Sequence, residues 1–343
     1  VSTGSGLLSN VKTRYGNSLA ILTAFSISST NVALITAEIA GGSALLSLIT
    51  GLPPISWAPL LSLLTCIFAI KHYSPTIKNI LTFTSFMMII CIPAAIFSNP
   101  PIGDVVRGFL SAEFYPSRDF VLTLMAIIGT QISGYSLLFE ASEAAQKHKG
   151  FSDLTAEFTG EMIGLFIGIL VDAAILIACA SLLYPQGLVI ATIEEAIFAL
   201  KPALGDLIIY LLAIGIIASS FLRSVVVAMS NFKILDELIE DMAELLKIRG
   251  AVLAGWKVIL ASVSFLIAPL FLAFGASPLK LVINASALTC MFTPIPLIFL
   301  SLLFSGLRFP EDVKAGFVKV FCWIVTVVIS IISVVGLIFS VFG

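Results

Sequence analysis

The chain has 343 residues, 59% of them hydrophobic and 11% charged, with a formal net charge of −2 and a mean hydropathy of +1.12. Soluble domains carry about a quarter of their residues as charges, so this composition excludes a soluble fold and requires a bilayer. The near-neutral balance excludes nothing about a partner by itself. A spanning helix needs roughly 20 apolar residues, and nine segments qualify in chain order: 16–49, 55–71, 77–98, 119–141, 160–184, 205–229, 255–275, 280–305 and 316–342. The fold expected is all-α and polytopic, with residues 1–343 forming one integral-membrane domain, since no linker long enough to separate domains is present.

In the first span, Ser28, Asn31, Ile35 and Glu38 follow spacings of three and four, which places one largely polar stripe on a face expected to point inward. An ionisable residue at bilayer depth is expensive unless paired or wetted, so Glu38 is a candidate for an ion pathway and Asn31 lies on the same route. The fourth span is interrupted by Ile127-Ile128-Gly129-Thr130-Gln131-Ile132-Ser133-Gly134-Tyr135. Lipid offers no partner to a loosened backbone, so a break of this kind is tolerated where freed carbonyls face protein or a watery cavity. Two half-helices are expected to meet near Gln131 to Gly134, with unpaired carbonyls around Thr130 facing the interior of the bundle.

Glu140 follows the break by about two turns and could line a route to the cytoplasm, whereas Glu143, beside Lys147 and Lys149, reads as interfacial. Asp172 stands near the middle of 160–184 with apolar neighbours on both sides, and is expected to face the protein interior in a pathway role. Residues 189–203 read as a short amphipathic helix at the outer surface, and residues 232–249 as a helical extension on the cytoplasmic side. Arg223, late in the span 205–229, reads as a side chain snorkelling to headgroups. Lys257 sits at a helix start on the same side and could face the bundle. In the eighth span, Asn284, Ser286 and Thr289 precede Pro294 and Pro296 and, with the break at 131–134, offer a candidate cage of oxygens.

Lys12, Arg14, Lys71, Lys78, Lys147, Lys149, Lys233, Lys247, Arg249, Lys257, Arg308, Lys314 and Lys319 fall on or near one side of the alternating loops and Arg107, Arg118, Lys201 and Lys280 on the other, so the first side is cytoplasmic by the positive-inside rule. The five cysteines stand singly in separate apolar segments, as packing thiols do. The two histidines, His72 and His148, lie in loops away from any nucleophile, which argues against an enzyme. The chain opens on Val1 without a signal or transit segment, so sequence upstream of it is expected.

With these residues in place, the chain resembles the NRAMP family of divalent-metal transporters over nearly its whole length. Ala33-Leu34-Ile35-Thr36-Ala37-Glu38-Ile39-Ala40-Gly41 is similar to the family's third helix, and Leu170-Val171-Asp172-Ala173-Ala174 to its seventh. Leu200-Lys201-Pro202-Ala203-Leu204-Gly205, followed by Leu212-Ala213-Ile214-Gly215, is similar to the approach to its eighth. The resemblance implies a LeuT-type inverted-repeat transporter fold, N-terminally incomplete and holding helices three to eleven. The broken first helix and its Asp-Pro-Gly-Asn motif are then expected upstream.

The sixth helix departs from the family pattern. Ser133-Gly134-Tyr135 stands where the metal transporters have Met-Pro-His, and a second family histidine falls at Glu140. The metal ligands expected on this alignment are Thr130, Gln131, Ser133, Tyr135, Asn284 and Ser286, with Glu38, Asn31, Glu140, Asp172 and Lys257 along the ion pathway. Replacing sulfur by oxygen and adding carboxylates at Glu140 and Asp172 shifts preference from Mn²⁺ or Fe²⁺ toward harder, better-hydrated ions such as Mg²⁺, and the cations expected overall are Mg²⁺ or Mn²⁺. Proton coupling remains an option that the loss of both histidines weakens.

The leading expectation is therefore secondary active transport of divalent cations across the cytoplasmic membrane by alternating access. Membrane lipid and the metal ion, as substrate, are the expected partners, with no cofactor, no nucleic acid and no obligate protein partner. Two alternatives stand beside it: a LeuT-type transporter of an amino acid or amine, and a transport-inactive membrane scaffold.

Overall fold

The computed structural model describes residues 5–71, 75–111, 117–132, 134–138, 154–187, 190–246, 250–306 and 315–342, and within them every regular element is helical. In chain order these are α1 (Leu7–Tyr15), α2 (Asn17–Thr50), α3 (Pro54–Lys71), α4 (Pro75–Ser85), a 3-10 turn (Phe86–Ile90), α5 (Cys91–Phe97), α6 (Ile102–Leu110) and α7 (Arg118–Gln131). The short α8 covers 134–138. There follow α9 (Leu154–Leu183), α10 (Ile193–Phe198), α11 (Lys201–Leu204), α12 (Asp206–Leu246), α13 (Gly250–Ala273), α14 (Pro278–Phe292), α15 (Pro294–Gly306) and α16 (Ala315–Phe342).

Seven stretches among the described residues are long and apolar enough to cross a membrane: Asn17–Thr50, Asn79–Phe97, Arg118–Leu138, Phe158–Gln186, Ile209–Leu235, Pro278–Gly306 and Gly316–Ser340. The other two expected spans coincide with shorter apolar helices, Pro54–Ile70 and Ser262–Ala273. The protein is an all-α, multi-pass integral membrane protein.

The helix α2 is the central post. It packs against α12, α14, α3, α13 and α1, and its interior face carries Ile27, Leu34, Ile35, Ile39 and Leu45, each almost fully buried. It ends where Gly51 takes a left-handed conformation, φ 74° and ψ 0°, and donates its amide to the Ser47 carbonyl at 2.8 Å. Pro53 and Pro54 then start the next helix. By contrast α9 turns Phe158, Ile163, Phe166 and Ile169 outward, as a helix facing acyl chains does.

Of the helical extension expected over 232–249, residues 232–246 continue a span, and 247–249 lie outside the described residues. Helix α12 runs unbroken for 41 residues, about 60 Å at 1.5 Å per residue, which exceeds the ~30 Å hydrocarbon core. The amphipathic segment near residue 193 is capped reciprocally, with Thr192 Oγ1 accepting from the Glu195 amide and the Glu195 carboxylate accepting from the Thr192 amide. Its apolar side does not lie free. Ile197 and Leu200 are buried against Leu45, Cys91, Val171, Ile209 and Leu212.

Prolines within a span free carbonyls four residues earlier. The Cys290 carbonyl, which Pro294 cannot reach, accepts from Ser333 Oγ at 2.7 Å, and the Phe292 carbonyl, freed by Pro296, accepts from Ser26 Oγ at 2.8 Å. Two serines on other helices thus satisfy the backbone that the prolines leave open.

Candidate functional site

The fourth span is broken as expected. Helix α7 ends at Gln131, Ile132 is extended with φ −121° and ψ 105°, and helix resumes over 134–138. The Ile132 amide still reaches the Ile128 carbonyl at 3.1 Å. Glycine is what seats this break in the bundle. A Cβ at Gly129 would run into the Ser286 carbonyl and the Cys290 amide of α14, and one at Gly134 would come within 3.2 Å of Ile27. The two crossings bring the break against α14 and against the central post α2.

The carbonyls around Thr130 are not unpaired, contrary to expectation. The Thr130 carbonyl accepts from a terminal nitrogen of Arg223 at 2.9 Å, and the Ile132 carbonyl accepts from Thr293 Oγ1 at 3.3 Å. The same rule that forbids bare backbone in lipid explains both, since α12 and the α14–α15 junction carry donors at that depth. The Thr130 hydroxyl is turned back on its own helix, donating to the Ile127 carbonyl at 2.8 Å.

Arg223 does not snorkel. It lies near the middle of the apolar stretch Ile209–Leu235, and its Nε stands 3.4 Å from Glu38 Oε1, with side-chain exposures of 31% for Arg223 and 14% for Glu38. Ser220 adds a hydroxyl to the Glu38 carboxylate, and Tyr135 and Asp172 both lie near enough to interact electrostatically with the guanidinium. A charge at this depth costs from about 2.5 kcal/mol upward when alone, and the pair removes most of the reason to leave. Behind Glu38 a small cavity is lined by Glu38, Thr65, Ser220, Ser224 and the apolar Leu61 and Phe221.

The polar stripe of α2 faces inward as its spacing requires. Ser28 donates to Asn231 Oδ1 at 2.8 Å, and Asn231 Nδ2 donates to Ser264 Oγ at 3.2 Å, tying α2 to α12 and α13. Asn31 is fully buried, and neither atom of its amide finds a hydrogen-bond partner among the described residues.

Asp172 departs from expectation, because its side chain is exposed rather than enclosed. Helix α9 packs on α5, which leaves the side toward α7 bridged by a hydrogen bond from Gln131 Nε2 to Asp172 Oδ2 at 3.0 Å. Gln131 is exposed as well, and these two exposed side chains mark an opening at the end of α7. The cage expected from Asn284 and Ser286 together does not form either. The two are separated by roughly 200° around α14; Ser286 is buried at the Gly129 crossing, whereas Asn284 is exposed. Tyr135 is half-buried against the cluster built on Leu34, Ile35 and Ile39. Ser133 and Glu140 lie outside the described residues, and Lys257 lies on α13 with its side chain outside them.

Arg223 therefore links Glu38, Tyr135 and the Thr130 carbonyl at the break, with Asp172 near enough to act on its charge, a pairing that the reading of Arg223 as a snorkelling side chain missed. The available signal was an arginine and a glutamate on different spans, each too deep to be comfortable alone. Around the opening the groups on offer are a carboxylate, a side-chain amide and a main-chain carbonyl. Among the described residues no three His, Cys, Asp or Glu side chains converge.

The architecture is that of a polytopic, all-helical membrane protein with one interrupted span. The chain belongs to a known family of such proteins: its residues 1–339 match the family model described as natural resistance-associated macrophage protein-like. It is similar to a protein named divalent metal cation transporter MntH of Caldanaerobacter subterraneus subsp. tengcongensis, at 25% identity over 57% of this chain and 45% of that protein. It is also similar to one of the same name in Clostridium acetobutylicum, at 22% identity over 64% of this chain and 50% of that protein. The chain spans about half the length of these curated relatives.

Proposed function

We propose that the protein carries divalent metal cations across the cytoplasmic membrane as a secondary active transporter, by alternating access around the α7–α8 break, with Mg²⁺ or Mn²⁺ ahead of softer ions. The observation that carries this reading is that two exposed side chains, the Asp172 carboxylate and the Gln131 amide, meet at 3.0 Å at the end of α7, one residue from the Thr130 carbonyl. Hard cations take oxygen ligands, and Mg²⁺ keeps several of its waters, so exposed oxygen donors suit it better than a closed sulfur-bearing cage. Ser133 and Tyr135 add hydroxyl oxygen to the same stretch of sequence. The family and the names of the two relatives support the divalent-cation class.

Uptake by the full-length protein in liposomes tests it. Mg²⁺ or Mn²⁺ should accumulate while Cd²⁺ is excluded, and Ser133→Met should restore Cd²⁺ binding. Tight Cd²⁺ binding by the unmodified protein would overturn the hardness argument. Uptake of an amino acid that responds to no divalent ion would overturn the transport reading in favour of an organic substrate.

A further inference from the structure

We propose that Arg223 is a tethered cation that competes with the transported ion for the Thr130 carbonyl, and that this competition excludes monovalent cations. The inference rests on the divalent-cation reading above and deepens it by naming the residue that sets charge selectivity.

The guanidinium is a rigid fork, and its two ends do different work here. Its Nε faces Glu38 at 3.4 Å, while a terminal nitrogen reaches across to the Thr130 carbonyl at 2.9 Å. Thr130 is at the last turn of α7, one residue before Gln131, which holds Asp172. A positive group therefore already sits on the backbone oxygen one residue before Gln131. An incoming ion that uses this oxygen must first take it from the arginine.

Breaking one hydrogen bond to an uncharged carbonyl takes the same work whichever ion arrives, and the repulsion between the ion and the guanidinium, which grows with the ion's charge, is offset by Glu38, which stays paired with Arg223. The attraction that repays this work is not fixed. Coulomb energy at Asp172 doubles from a monovalent to a divalent ion at equal distance. A threshold of this kind passes divalent ions and stops Na⁺ and K⁺. Glu38 makes the exchange feasible, since the guanidinium can swing its terminal end away from Thr130 while its Nε stays paired, and the charge never stands alone in the bilayer. The Arg223 side chain is 31% exposed against 14% for Glu38, so the arginine is the less enclosed member of the pair.

The test is Mn²⁺ binding to the purified full-length protein, followed by electron paramagnetic resonance, alongside Mn²⁺ uptake into liposomes with choline replaced by Na⁺. Unmodified protein should ignore Na⁺ in both measurements. Arg223→Gln should bind Mn²⁺ about tenfold more tightly, the value of one lost competing hydrogen bond, and Na⁺ should now compete. The double variant Glu38→Gln/Arg223→Gln removes both charges and guards against misfolding from an orphaned carboxylate. It should also become Na⁺-sensitive, which assigns the effect to the vacated carbonyl rather than to a freed Glu38.

Mn²⁺ affinity that is unchanged or weaker in the folded variants, with Na⁺ still inert, would overturn the proposal and leave Arg223 a structural residue. Mn²⁺ that binds and becomes Na⁺-sensitive in the variants but is never transported would sustain the competition while refuting the transport reading. Failure of every form of the folded protein to bind Mn²⁺ or Mg²⁺ would overturn both.

Discussion

Glu38 and Asp172 are both carboxylates set deep in apolar helices, yet the fold treats them in opposite ways. Glu38 lies in the α2–α12 seam, paired with Arg223 beside Ser220 and 14% exposed. Asp172 lies on the peripheral α9, exposed, with the neutral amide of Gln131 as its hydrogen-bond donor. The difference teaches that a deep acid has two stable arrangements. It is either locked by a cation inside the packing or left beside an opening where its charge can serve an ion. The seam is held by an ion pair, and the exposed Asp172–Gln131 pair is where binding is proposed.

The comparison can be broken most severely at the crossing that holds both regions in register. Gly129→Val places a side chain against the backbone of α14, where no flexible group can yield. Overpacking costs typically 1–3 kcal/mol and more where backbone must move, so the expected outcome is the largest loss of thermal stability in detergent, read by size-exclusion chromatography after heating. A Gly129→Val protein as stable as the parent would mean that α7 and α14 do not meet there.

Next in size is Glu38→Gln, which leaves the Arg223 guanidinium without its anion. A hydrogen bond to a charged group contributes about 1.5–3 kcal/mol, and the lower part of that range is expected because Arg223 is partly exposed. The same thermal assay measures it. Smaller again are Ser26→Ala and Ser333→Ala, each of which orphans a proline-freed carbonyl. Hydrogen bonds between helices in a membrane average about 0.6 kcal/mol, so each variant should lower the midpoint slightly, and the pair should act additively because they serve different carbonyls.

The smallest effect on stability sharpens the comparison most. Asp172→Asn keeps the shape and a hydrogen-bond acceptor for Gln131, and at an exposed position it should shift stability by no more than about 0.5 kcal/mol. Its effect should appear instead in cation affinity or selectivity, measured by liposome uptake. If Asp172→Asn protein moves every tested cation with unchanged kinetics, Asp172 is a spectator and the opening is not the binding region.

What the sequence determined by itself is whatever local chemistry decides. The helical class, the positions of the apolar segments and the break after Gln131 follow from short runs, because in lipid a segment must satisfy its own backbone and a run such as Gly129-Thr130-Gln131-Ile132 cannot. The inward face of Ser28, Asn31, Ile35 and Glu38 follows from helical spacing alone. Tertiary structure decided every question of pairing. Arg223 and Glu38 are 185 residues apart, and no local pattern says that one neutralises the other or that the Thr130 carbonyl is taken. The exposure of Asp172 depends on α9 resting against α5, and the burial of Ser286 with Asn284 left exposed depends on which side of α14 meets Gly129. Hydrophobic periodicity specifies which residues avoid lipid, but it is non-directional, and only the packed helices determine which polar group meets which.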